Sequence, residues 1–285
     1  MWSSLLPFMP DVDVWAVDVS AWHREPYTRL GASPLPALDA RLVEAGAMTR
    51  ICRYMRAIDR IRAFVACLLP RVMLVETQCV PHWHDVFIQR TEAGRPYTDV
   101  PHMDFNISHD GDWVVMAFSR TYGVGVDVMQ VALPPFEENS ASFCYTMSSS
   151  MSRSEHDWVL QGASEADVLS RLYDVWTYKE ALTKNMGLGL GFDFARIDLR
   201  FGQALTLAMD DRAVDTYRFR ELALPCGASH HAPGSRVAVA LGPSSAWDAP
   251  MTRQAVSAQQ AIDEGWLRMW TYDSLLAHAR AMSGV

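Results

Sequence analysis

An α+β fold is what this sequence predicts, and three observations carry the prediction. Short segments alternate apolar and polar residues as strands do, and two stretches carry apolar residues at helical spacing. Both halves of the chain also run from helix to short strands, the pattern that a repeated unit produces, although no self-similarity in the sequence establishes a repeat. The 285 residues suffice for one large domain or two modest ones.

In chain order, Val12–Val19 (VDVWAVDV) alternates and reads as a strand. Leu38–Leu74 has helical spacing, with Tyr54, Ile58, Ile61, Val65 and Leu68 along one side and arginines between them. One or two helices are expected there, ending near Pro70. Val86–Gln89 reads as a short strand before the turn Gly94-Arg95-Pro96. Phe105–Ser108 and Trp113–Ser119 form a hairpin about Asp110-Gly111-Asp112, and Val124–Val128 is another strand. Ala132–Ser154, rich in Pro and Ser, is expected to be a loop. Asp167–Asn185 is the clearest helix, with Leu169, Leu172, Tyr173, Trp176 and Leu182 as its apolar stripe, and Gly187, Gly189 and Gly191 stop it. Ile197–Phe201, Thr216–Leu222 and Arg236–Leu241 read as strands, Pro243–Gln254 as a loose connection and Tyr272–Met282 as a helix.

Composition narrows the function classes. Hydrophobic residues make up 49% and charged residues 20%, a globular mixture. No apolar run approaches the ~20 residues of a membrane-spanning helix. Met1–Pro10 has neither the basic start nor the small-residue cleavage site of a signal peptide. Cys52, Cys67, Cys79, Cys144 and Cys226 are odd in number and in no CxxC spacing, so reduced, buried thiols in a cytoplasmic protein are expected. A net charge of −8 argues against general nucleic-acid binding. Charge is uneven, however: between positions 50 and 71 stand Arg50, Arg53, Arg56, Arg60, Arg62 and Arg71 against Asp59 alone. Such a cluster fits either a local anionic ligand or a solvated helix face. Of the 25 basic residues 23 are Arg, and the two lysines, Lys179 and Lys184, fall within six positions of each other. A site that wants compact ammonium charges would place them so; chance would also do it.

Three segments could carry chemistry. In Asn106-Ile107-Ser108-His109, neighbouring strand residues point to opposite faces, so Ser108 and His109 are not a nucleophile and its base. No GxSxG elbow is present either. His109 at a strand end is either structural or a phosphate contact. In Gly123–Met129 the third glycine of a dinucleotide fingerprint is missing, but Asp127 is a carboxylate in an otherwise apolar strand, costly to bury without a partner or metal. In Trp176–Lys184, Glu180 and Lys184 share a helix face four residues apart, which by itself fits an exposed ion pair.

Taken in order, FNISH (Phe105–His109), VGVDV (Val124–Val128) and WTYKEALTK (Trp176–Lys184) resemble the signature of the 4′-phosphopantetheinyl transferase superfamily. Their spacing is similar to that of its long, monomeric branch, built as a pseudo-dimer. Gly94-Arg95-Pro96, the GLGLGF run at 187–192 and the basic stretch from Arg50 to Leu69 support the likeness, which covers roughly residues 50–200. Met129 stands where many members have a second acid, as in the eukaryotic lysine-biosynthesis and general-purpose members, and Arg95 stands where Lys is common.

The resemblance implies two similar α+β halves, residues 1–123 and 124–285, with a coenzyme A site in the cleft between them. It implies a holo-acyl-carrier-protein synthase type of enzyme. That enzyme would move 4′-phosphopantetheine from coenzyme A to a carrier-protein serine and release 3′,5′-ADP. Asp127 and Glu180 would hold Mg²⁺, Glu180 would take the serine proton directly or through water, and Lys184 would neutralise phosphate charge. Arg50, Arg62, Arg90, Arg95, Asn106, Ser108 and His109 would hold the 3′-phosphate and adenine end. Expected partners are apo carrier domains of a fatty acid synthase, a polyketide or peptide synthase, or an aminoadipate reductase. A coenzyme A-binding protein without transferase activity is the alternative. A structural interaction protein would leave the paired lysines and the arginine cluster without a purpose.

Overall fold

Strand, long helix and antiparallel strand pair form a unit that this chain builds twice. In the computed structural model the structure describes residues 12–22, 38–188, 191–202, 204–226, 234–245, 251, 253 and 255–284. The readings made for Met1–Pro10, for Gly189 and for positions 246–250, 252 and 254 of the expected connection lie outside the described residues.

The first unit comprises β1 (Asp13–Asp18), the short α1 (Ala45–Ile51), α2 (Ala57–Glu76), a ribbon of β2 (Gln89–Arg90) and β3 (Pro96–Tyr97), and the hairpin β4 (Asp104–Asp110) and β5 (Trp113–Ser119). The second comprises β6 (Val124–Gln130), α3 (Ser140–Thr146), α4 (Arg153–Leu160), α5 (Glu165–Met186) and the small sheet β7 (Ile197–Phe201), β8 (Leu205–Met209) and β9 (Arg212–Ala213). It closes with β10 (Arg218–Leu224) and β11 (Ser235–Leu241). After it come β12 (Ala255–Ser257), α6 (Ala258–Asp263), β13 (Leu267–Thr271) and α7 (Tyr272–Ser283).

Each unit makes three antiparallel strands with its last strand in the middle, β1-β5-β4 and β6-β11-β10. Each sheet gains a parallel edge strand from the C-terminal segment, β13 on β1 and β12 on β10. This is the repeat that the order of elements suggested. It is a repeat of topology, which needs only the same hydrophobic periods and not the same residues. The expected division at residues 123 and 124 falls between β5 and β6, but Leu267–Ser283 crosses back. Trp270, Tyr272 and Leu275 belong to the core under α2 in the first unit.

Period-2 alternation explains the layers. Trp15, Val17, Val114 and Met116 face the core under α2, whereas Val14, Ala16, Val115 and Ala117 meet Val126, Val128, Val237 and Val239 between the sheets. Val14–Val17 is therefore buried on both faces rather than alternating inside and out. On the far side of the second sheet, Tyr178, Ala181 and Leu182 of α5 pack on Ala238 and Ala240.

Other expectations are corrected. α2 does not end near Pro70 but continues to Glu76, because Arg71, Val72, Met73 and Leu74 are all buried and their packing offsets the amide lost at proline. Ala132–Ser154 is not a loop throughout, since it contains α3 and the start of α4. The polar residues that read as loop are helix caps: Asn139 and Ser152 each form a capping box, with Ser142 and Glu155 respectively. The strand expected at Val86–Gln89 forms instead at Gln89–Arg90, after a 3-10 turn at Trp83–Asp85. Among the described residues no helix is long and apolar enough to cross a membrane. All five cysteines are free, but only Cys144 is buried as expected, Cys52 being exposed and the other three half-buried.

Candidate active site

Two elements bring the charged residues together. α5 starts at the N-cap Ser164, whose hydroxyl accepts the Asp167 amide at 3.1 Å, and stops at Gly187 in the left-handed conformation, φ 70°. It lies against β6 where position 125 has no side chain. A Cβ there would overlap the Ala181 carbonyl oxygen and the Asn185 amide nitrogen. The close approach carries Glu180 and Lys184 over Asp127.

Asp127 is 3% exposed. Its Oδ1 accepts from the Lys184 ammonium at 2.6 Å and the Ser108 hydroxyl at 2.9 Å, while Oδ2 is buried with no partner among the described residues. Lys184 Nζ also lies 3.1 Å from Ser108 Oγ and 3.9 Å from Glu180 Oε2. Burial pushes the Asp127 and Glu180 carboxyls up, and the Lys184 ammonium pulls each back. One cation thus sits between two carboxylates that would otherwise repel each other.

The two sheets meet along β4 and β6 through side chains. Asp104, Asn106, Ser108 and Asp110 accept the amides of Val124, Val126, Val128 and Gln130 at 2.7, 3.0, 3.4 and 2.8 Å. Four alternate polar residues of β4 therefore replace the backbone partner that the edge of β6 lacks. The same pattern places Ser108 against Asp127.

Above this floor opens a cavity of about 1120 Å³. Its walls are the Thr91–Tyr97 segment, the 3-10 turn at Ser148–Ser150, the stretch Phe192–Phe194, and the α5 face that carries Trp176, Glu180 and Lys184. Of the expected site residues, Glu180, Lys184, Arg95 and Asn106 line it, and Asp127 and Ser108 touch it through Lys184. Arg50, Arg62, Arg90 and His109 lie outside the lining formed by the described residues. Arg90 is exposed beside the cavity rim and donates to the Gly94 carbonyl at 2.8 Å. Arg50 is exposed on α1, and His109 is exposed on the β4 face opposite Ser108.

Two arginines have structural partners that sequence reasoning did not anticipate. Arg62 is buried, bound to Asp59 at 3.2 Å and to the Gly111 carbonyl in the β4–β5 turn. Arg95 clamps three elements: it donates to the Lys184 carbonyl at 2.9 Å, to both Asp104 oxygens at 2.8 Å and to the Val124 carbonyl at 3.0 Å. Asp104 and the aromatic residues Trp176, Phe192 and Phe194 are site residues that the sequence reading missed. The even spacing of polar residues on β4 was a signal for Asp104; Trp176 and Phe192 lie within the WTYKEALTK and GLGLGF motifs, but nothing local marked Phe194. Lys179, whose closeness to Lys184 in sequence fitted either a shared site or chance, is buried elsewhere in an ion pair with Glu155. Among the described residues no group of three or more His, Cys, Asp or Glu gathers as a metal site.

A family model for the 4′-phosphopantetheinyl transferase N-terminal region matches residues 37–121. The model of the 4′-phosphopantetheinyl transferase superfamily matches residues 123–239. A phosphopantetheinyl transferase of Thraustochytrium sp. is 33% identical over 211 residues, 70% of this chain and 69% of the relative. The chain belongs to the 4′-phosphopantetheinyl transferase superfamily. A 4′-phosphopantetheinyl transferase of Paxillus involutus is 38% identical over 168 residues, 54% of this chain and 63% of the relative. The human L-aminoadipate-semialdehyde dehydrogenase-phosphopantetheinyl transferase is 28% identical over 200 residues, 68% of this chain and 62% of the relative. The match thus spans a little under two thirds of the last two relatives. Both superfamily motifs that meet at the site, VGVDV and WTYKEALTK, lie within the second matched region.

Proposed function

We propose that this phosphopantetheinyl transferase superfamily member moves 4′-phosphopantetheine from coenzyme A to a serine of an apo carrier protein, releasing 3′,5′-ADP. The observation that carries the reading is the Asp127–Lys184–Glu180 cluster at the floor of a large open cavity. The names of the relatives support the reaction class, and the aminoadipate-semialdehyde dehydrogenase name supports a carrier domain as partner.

The residues divide the work by chemistry. Lys184 neutralises phosphate charge. Glu180, its carboxyl raised by burial, accepts the proton of the attacking serine, directly or through one water. The Thr91–Tyr97 wall holds the adenine and 3′-phosphate end. Arg50 and Arg90 supply exposed charge there, while Arg62 and Arg95 hold the protein framework. Trp176, Phe192 and Phe194 give the cavity an apolar side for the pantetheine arm. The residues also fit Mg²⁺: Asp127 Oδ2 is a buried carboxylate oxygen without a partner among the described residues, and Glu180 supplies a second hard oxygen ligand. Bound there, the ion supplies charge neutralisation at the coenzyme's pyrophosphate. Free cysteines support work in a reducing compartment, the cytoplasm, and the doubled unit supports a monomer whose two halves flank the cavity.

Incubation of the purified protein with a fluorescent coenzyme A, Mg²⁺ and several apo carrier domains tests the reading. Label should appear on carriers and disappear when the carrier serine is replaced by alanine. Coenzyme binding without label on any carrier would leave a binding protein and remove the transferase.

A further inference from the structure

Lys179 precedes Glu180 on α5, about 100° around the helix, and its ammonium lies away from the cavity. Its side chain is 1% exposed, and its three donors meet three acceptors. These are Glu155 Oε2 at 2.5 Å, the Ser150 carbonyl at 3.0 Å and the Phe194 carbonyl at 2.9 Å. Glu155 is fully buried and also accepts the Ser152 amide at 2.7 Å and the Leu199 amide at 2.8 Å. The pair therefore joins α5, the α4 cap, β7 and the two 3-10 turns at Ser148–Ser150 and Phe194–Arg196.

A buried ion pair is a poor device for stability alone, because desolvation consumes most of the attraction. What this pair holds is more telling. Ser149, Ser150 and Phe192–Phe194 form one wall of the cavity, and the Phe194 ring meets that of Trp176 at 5.3 Å between centroids. The two carbonyls that Lys179 grips belong to that wall. We propose that Lys179 is a positioning residue: through the Ser150 and Phe194 carbonyls it sets the wall against which coenzyme A binds, while its neighbour Glu180 faces the chemistry. The proposal rests on the transferase reading above.

The test is steady-state transfer together with direct coenzyme A binding by calorimetry, for the wild type and for Lys179→Met combined with Glu155→Gln. The double substitution removes both charges, so neither is left buried and unpaired. The expected result is a KM and Kd for coenzyme A raised ~10-fold with kcat within about twofold, as displaced wall contacts weaken binding more than chemistry. The carrier KM should stay unchanged. Should the double variant fail to fold, Lys179→Arg keeps the ion pair while displacing the carbonyl donors, and the same split is expected. A folded variant with unchanged coenzyme A KM and Kd, beside a wild type that transfers, overturns this proposal alone. A wild type that binds no coenzyme A overturns it together with the reading beneath it.

Discussion

Asp127 presents two unlike oxygens. One is saturated by Ser108 and Lys184; the other is buried with no partner among the described residues. A buried carboxylate oxygen left so is costly unless function uses it. Glu180 differs in being partly exposed, on the wall of the cavity. Asp127→Ala and Glu180→Gln should each lower turnover at least ~100-fold at saturating Mg²⁺, the scale of losing a general base or a main electrostatic stabiliser. Met129→Ala should cost far less, since a thioether is a poor ligand for a hard cation. Transfer rates and melting temperatures of the three variants decide the matter: near-normal turnover in Glu180→Gln would sink the proposed mechanism. At this scale the acids and Lys184 were legible through the motifs that resemble the superfamily signature, since their spacing alone fits an ordinary ion pair and a buried strand carboxylate. The roles of Arg62 and Arg95 were not, since a guanidinium is committed by whatever folding places beside it.

Between elements, the decisive contact is α5 on β6 at Gly125. The sequence displays the glycine but not its reason, which is the backbone of Ala181 and Asn185 lying against it. Gly125→Ala must push the helix from the strand, and with it Glu180 and Lys184 from Asp127. Overpacking of this kind costs about 1–3 kcal/mol. The expected outcome is a lower melting temperature together with a loss of turnover of ~10-fold or more, because misplacement near 1 Å is enough to disturb catalysis. A variant that melts lower but transfers normally would show that the contact serves stability alone. Helix boundaries illustrate the same limit of local reading. Pro70 looks like a stop, yet the buried residues after it carry α2 onward. Asn139 and Ser152, polar residues that look like loop, cap α3 and α4.

Across the whole molecule, charge is distributed against its total. The protein carries −8, but the turn from α1 into α2 exposes Arg53 and Arg56 beside Tyr54 and Met55, with Arg50 close by and no acid between Ala45 and Ile58. Under the proposed function this is the surface that attracts an acidic carrier. The carrier KM should therefore rise with ionic strength as screening shortens the reach of those charges, and Arg53→Glu combined with Arg56→Glu should raise it at low salt. A KM flat from low to high salt would assign the turn another role. The molecule is also tied together by its own tail, as β13 and α7 complete the first sheet and its core after the chain has built the second.

The sequence by itself determined the α+β class, the long helix α5 and the β4–β5 hairpin, and its motifs, by their resemblance to the superfamily signature, pointed to Asp127, Glu180 and Lys184. Each of these rests on local periodicity, turn chemistry or fixed motif spacing. Only the tertiary structure decided which charges share a cavity and which are spent on the framework. Lys179 and Lys184 lie five residues apart on one helix, yet one is sealed against Glu155 and the other stands between two carboxylates. Side-chain direction around a helix is periodic and readable, but the partner waiting on each side comes from segments distant in sequence. Likewise, the return of Leu267–Ser283 to the first sheet depends on an edge strand that no local pattern reveals, because a backbone offers the same donors and acceptors wherever it runs.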